Sequence, residues 1–250
     1  MVEPSKVLEL NLRRWILSKD ENDHTVWREV VAPVRVPASR TAIVICDMWD
    51  NHWSRGAAER VDAMAPRMNT IVNAARDRGI HIIHAPSDTL DAYAGTPARQ
   101  RAVGAPVVTP PADLPHDDPP LPIDDSDEGS DTGETEPTKA WRCQHLAIEI
   151  DQTRDAISAD GGEVYNLLRL WDVHQLLIMG VHTNMCILNR SFAVKQMVRW
   201  AVPIALVRDL TDAMYNPARA PYVSHAEGTG LVIGYIERFW CPSIDSQDLA

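Results

Sequence analysis

From Thr41 onward, short β-branched apolar runs alternate with longer amphipathic stretches, and this alternation constrains the fold more than any other feature of the chain. TAIVIC (41–46) is a continuous run that ends in polar DMWDNHW, the pattern of a strand covered on both faces. AAERVDAMAPRMNTIVNAARDRG then places apolar residues at helical spacing, with Gly79 as its stop. IHIIHAP (80–86), LAIEI (146–150), QLLIMG (175–180) and PIALVRD (203–209) read as further strands. Helices are expected over 161–172, from near Asn184, and over 223–238. Strands alternating with helices imply βαβ units: an α/β fold with a mostly parallel sheet and helices on both faces. Ligands bind such sheets beyond the carboxyl ends of the strands. Attention therefore falls on Asp47, Asp50 and His52, on His84, Ser87 and Asp88, on Asp151, on 182–186, and on Asp209 and Asp212.

The 250 residues suit a single domain spanning 1–250. Its first forty residues (1–40) hold two β-prone stretches around a polar turn, read as a hairpin extension packed on the main sheet. No run of about 18 apolar residues is present, so no membrane-spanning helix is expected. MVEPSKVLEL lacks the basic-then-apolar layout of a secretory signal. Cys46, Cys143, Cys186 and Cys241 form no CxxC pair, which argues against a zinc knuckle or a disulfide framework and makes a reducing, cytoplasmic setting the expectation. A net charge of −11 argues against nucleic acid as a partner. That charge is local: 105–137 holds seven Asp, three Glu and no Lys or Arg. The segment is also proline-rich and reads as an insertion without a core of its own, a disordered or loosely packed acidic loop. Within it DDSDEGSD breaks the D-x-D-x-D-G order of a calcium loop.

GVHTNMC (180–186) carries the chemistry. A buried strand ends, a short loop follows, and Cys186 falls in the first turn of a helix. A helix N-terminus favours a thiolate and offers free N–H groups to an oxyanion, although most cysteines are simply small buried hydrophobes. Asp47, at the end of the first strand of the alternating pattern, is placed to act as base for the thiol and then as acid for a leaving amine.

The D-x-x-D pattern Asp47–Asp50, the G-V-x-T-N-x-C loop and the strand ending in Asp209 together resemble the isochorismatase-like cysteine hydrolase superfamily over roughly residues 40–240, interrupted by the acidic insertion. The resemblance implies a three-layer α/β/α sandwich, Cys186 as nucleophile and Asp47 as its acid/base partner. It also implies a cis peptide between Val181 and His182 and an oxyanion hole made of the backbone N–H groups of His182 and Cys186. The superfamily's third catalytic residue, a lysine, is expected at 151–153, where none stands; the four lysines are Lys6, Lys19, Lys139 and Lys195. Its positive charge must come from elsewhere, with Arg154 or a protonated His182 or His84 as the sequence-level candidates.

Trp49, His52, His84, Asn184 and Arg154 are the expected pocket residues. His52 and His84 would serve a metal-assisted hydrolase, but HAPSD (84–88) lacks a fixed-spacing ligand pair, so neither metal nor cofactor is expected. The expected activity is hydrolysis of a small amide-like C–N bond through a thioester on Cys186, by a homo-oligomer (dimer or tetramer) whose only other partner is a small-molecule substrate, without membrane or nucleic acid. The alternative is a catalytically impaired relative that binds a small ligand or serves as an oligomeric scaffold. Because the insertion leaves and re-enters near the strand ends, it is expected to act as a lid or a subunit contact.

Overall fold

Thr41–Cys46, buried at every residue, forms a strand near the middle of an eight-stranded sheet. The structure is a computed structural model that describes residues 6–250, so the start of the expected 1–40 extension lies outside the described residues. The strands are β1 (Val7–Lys19), β2 (Thr25–Pro37), β3 (Thr41–Cys46), β4 (His81–Ala85), β5 (Ala156–Ile157), β6 (Gln175–Val181), β7 (Ile204–Asp212) and β8 (Ser243–Ile244). The helices are α1 (Arg55–Arg78), α2 (Pro97–Val103), α3 (Gly161–Leu170), α4 (Cys186–Asn189), α5 (Val194–Arg199) and α6 (His225–Phe239). Spatial order is β2-β1-β8-β7-β6-β3-β4-β5, parallel from β8 to β5 and antiparallel at β1 and β2.

Alternate residues of β3 feed two cores. Ile43 and Ile45 join Val61, Met68 and Val72 of α1 on one face. Ala42 and Val44 join Leu167 of α3, Met197 of α5 and Ile236 of α6 on the other. Each fully buried Val, Leu or Ile contributes about 1.5–3 kcal/mol, so an apolar strand is stable here only if both faces are covered. The result is the α/β/α layering with a mostly parallel sheet. Among the described residues no helix is long and apolar enough to cross a membrane.

Four local expectations are corrected. The hairpin does not pack on the sheet but extends it edge to edge, β1 pairing with β8 at Arg13↔Ser243. LAIEI is not a strand: Leu146 is 88% exposed and the Glu149 N–H goes to the Asn69 side chain. The sheet is continued instead by Ala156 and Ile157, beside Ile83 and His84. The helix after Cys186 is two short helices, interrupted where Arg190 takes an extended backbone (φ −62°, ψ 150°).

The acidic insertion, finally, is not loose. Asp118 meets Lys195, Asp127 meets Arg219, and Asp131 meets Arg60. Ile123 enters the α6-side core. Folding gives most of these carboxylates a specific cation or N–H, which composition could not reveal.

Candidate active site

The carboxyl ends of β3 and β6 bring two chain segments into contact. Gly180 has φ +114°, and a Cβ there would lie 2.0 Å from the Cys46 carbonyl oxygen. Only glycine allows this approach, which sets the segment 181–186 beside Asp47. Asp47 itself takes a left-handed backbone (φ 47°), a region aspartate tolerates better than most residues. The Val181–His182 peptide is cis. The loop is tied down on its far side: the Thr183 N–H donates to the Asp212 carbonyl, and Thr183 and Thr211 hydroxyls share a hydrogen bond of 2.8 Å. The Asn184 amide donates to the Met214 carbonyl and accepts from the Met214 N–H.

Asp47 is fully buried and fully engaged. One carboxylate oxygen accepts the Ser87 N–H at 2.8 Å, and the other accepts Arg190 Nε–H at 2.9 Å. The Cys186 thiol lies close enough to the same carboxylate for each group to act on the other's protonation. Among the described residues no backbone carbonyl accepts the Cys186 N–H. Burial raises the Asp47 pKa; the Arg190 guanidinium, the thiol and Ser87 pull it back without fully offsetting the rise. Burial and then the Asp47 charge push the Cys186 thiol up to about 12, against the opposing pull of Arg190. A thiolate favoured by a helix N-terminus is therefore corrected. With only four residues, α4 has too few aligned peptides for a strong dipole, and the resting group is a thiol poised against a carboxylate.

Arg190 is the site residue that sequence reasoning missed. It reaches Asp47 from the cleft side and Asp88 at 3.3 Å. The available signal was its spacing of four from Cys186, which puts both side chains on one helical face. It supplies a cation beside Asp47 and Cys186, from a different chain segment than 151–153.

Cys186 and Arg190 open onto a cleft of about 420 Å³, together with Leu121, Asp125, Asn184, Met185 and Asn189. Asn184 is thus on the cleft, as expected, whereas Leu121 and Asp125 arrive from the acidic insertion. Trp49 and His52 instead line a small void of about 10 Å³ behind Asp47, shared with His182 and with room for about one water. Trp49 stacks on Trp141 with centroids 4.2 Å apart. The other two expected pocket residues stand elsewhere. His84 is fully buried between Gln144 (2.9 Å) and Asp155 (3.0 Å), the latter also held by Arg76. Arg154 lies on the surface, paired with Asp151. Neither replaces the lysine, and His182, which burial and then His52 hold down at about 3, carries no charge at neutral pH. His84 and His52 do not converge, and among the described residues no group of three or more His, Cys, Asp or Glu is arranged to hold a metal ion.

Beyond the cleft, Arg60 of α1 joins Asp131 of the insertion to Asp212 of β7, and His225 closes the cluster on Asp212 at 2.9 Å. These bonds hold the insertion over the strand ends.

No family model and no curated protein matches this sequence. Solved structures do. A cysteine hydrolase from Pseudomonas syringae pv. phaseolicola 1448A superposes with a TM-score of 0.52 at 16% identity, over 86% of this chain and 92% of that one. An isochorismatase from Pseudomonas putida KT2440 gives 0.49 at 12% identity, over 85% and 91%. The likeness to the first shows a shared fold.

Proposed function

We propose that this chain is an isochorismatase-like cysteine hydrolase that cleaves a small amide-like C–N bond. The observation that supports it best is the Cys186–Asp47–Arg190 contact at the floor of a cleft sized for a small molecule. Cys186 attacks the substrate carbonyl as its proton passes to Asp47, so that no free thiolate has to accumulate. The tetrahedral oxyanion is received by the N–H groups of His182 and Cys186. Asp47 then returns the proton to the leaving nitrogen as the C–N bond breaks, leaving a thioester. Water, deprotonated by Asp47, attacks the thioester and the thiol is restored. Arg190 keeps Asp47 ionised between steps and balances negative charge as it develops.

The test is to incubate the protein with a panel of small amides and an electrophilic thiol trap, and to locate adducts by mass spectrometry. Amine release and an adduct on Cys186, both abolished in Cys186→Ala, are the expected result. An unlabelled Cys186 while the half-buried Cys143 reacts would sink the nucleophile assignment and leave the ligand-binding alternative.

A further inference from the structure

The acidic insertion places one carboxylate on the wall of the Cys186 cleft. Asp125 is half-buried there; its Oδ2 accepts the Asn184 amide at 2.8 Å, and among the described residues its Oδ1 accepts no hydrogen bond. Asn184 is in turn fixed to Met214 through both ends of its amide, so Asp125 is held rather than mobile. The insertion's other cleft residue, Leu121, and Met185 are apolar. Around Cys186 stand three carboxylates, Asp47, Asp88 and Asp125, against the guanidinium of Arg190, which already serves the first two, and the more distant ammonium of Lys139, which is bound to the Asp88 carbonyl. Asp127 nearby is matched by Arg219 and adds no net charge.

We infer that Asp125 is a specificity-determining residue, and that the cleft selects a small carbonyl substrate carrying a cationic group on a short apolar stem, such as an aminoalkyl or guanidinoalkyl amide, over an anionic one. The inference rests on Cys186 being the reactive nucleophile. A cation entering the cleft would meet the open oxygen of Asp125 while its stem lies against Leu121 and Met185. A carboxylate in the same place would face Asp125, and the cation nearest to it, Arg190, already spends its Nε on Asp47 and its Nη2 on Asp88. The segment that carries nearly all of the chain's net charge thus brings one charge to bear on ligand choice.

The test compares the rates at which methanethiosulfonates modify Cys186, each normalised to its rate with a free thiol. The probes are the cationic 2-aminoethyl, the neutral methyl and the anionic 2-sulfonatoethyl reagents. In each case the Cys186 sulfur forms a mixed disulfide and a sulfinate leaves. Mass spectrometry assigns the modified cysteine. The expected order is cationic, then neutral, then anionic, with the cationic-to-anionic ratio falling about a hundredfold in Asp125→Asn, about tenfold for each probe charge a few ångströms from the carboxylate at intermediate dielectric. Asp125→Glu, which keeps the charge, should retain the preference and guards against a variant that merely disturbs the insertion. Equal rates for the three probes, or a ratio unchanged in Asp125→Asn, would overturn the selectivity while leaving the nucleophile standing. Failure of all three to modify Cys186 would overturn the nucleophile and the selectivity together.

Discussion

Asp47 shows how a single residue is set by opposing effects. Burial disfavours its charged form, yet an ionised carboxylate is what a thiol needs as proton acceptor. Arg190, at 2.9 Å, is the strongest opponent of that burial effect, although the net shift stays upward. Its replacement in Arg190→Gln should push the Asp47 pKa further above its ordinary value. The acid limb of a pH–rate profile would then move to higher pH, since more base is needed to ionise the group, and turnover should fall by about 10²–10³-fold. Arg190→Lys keeps the charge and should bring the limb back towards its original position, which separates an electrostatic role from simple packing. The measurement is kcat against pH on an amide found by the trap panel. Sequence reasoning reached Cys186 and Asp47 because strand ends are legible in a hydrophobic pattern. It passed over Arg190, whose spacing from Cys186 was the available signal, and looked for the charge at Arg154, which pairs locally with Asp151.

At the level of elements, the site depends on β3 and β6 approaching within a backbone's width. Gly180→Ala would place a methyl against the Cys46 carbonyl at a backbone angle that L-residues rarely adopt. A loss of at least about 3 kcal/mol in unfolding free energy, read by urea titration, is expected. On the neighbouring strand β4, His84 belongs to a structural rather than a catalytic group. Burial raises the pKa of Asp155, but hydrogen bonds from His84 and Arg76 outweigh it and hold the carboxyl below its ordinary range. A carboxyl whose folded pKa is depressed stabilises the protein fully above its unfolded pKa, about 3.9, and loses that contribution as pH falls through the folded value. Asp155→Asn should therefore cost about 3–5 kcal/mol at neutral pH, because it leaves the buried Arg76 without its counter-charge. The same variant should flatten the acid side of a stability-versus-pH curve, which thermal melts at a series of pH values would show.

Across the whole molecule, the acidic insertion is the part that composition described least well. Its charge suggested a solvated loop, yet Arg60 alone ties it to both α1 and β7 through Asp131 and Asp212. Arg60→Met should release this corner and speed protease cleavage within 105–137. The accompanying loss of about 1–3 kcal/mol reflects two part-buried carboxylates that lose the guanidinium, Asp212 keeping only His225 and Thr229 among the described residues. Cleavage at the wild-type rate would show that the remaining anchors, Lys195 and Arg219 among them, hold the segment unaided.

By itself the sequence determined the layer architecture, because residues that alternate between two buried faces must be apolar throughout, and helices of period 3.6 must cover them. It also determined which strand ends carry a thiol and a carboxylate. Tertiary structure alone decided that LAIEI leaves the sheet for side-chain partners, that the hairpin lengthens the sheet rather than covering it, and that Arg190 turns back to Asp47. It decided as well that the acidic segment finds its cations on α1, α5 and the 213–224 connection. Such outcomes rest on pairings between residues far apart in the chain, and their energies depend on burial and distance, which no local pattern encodes.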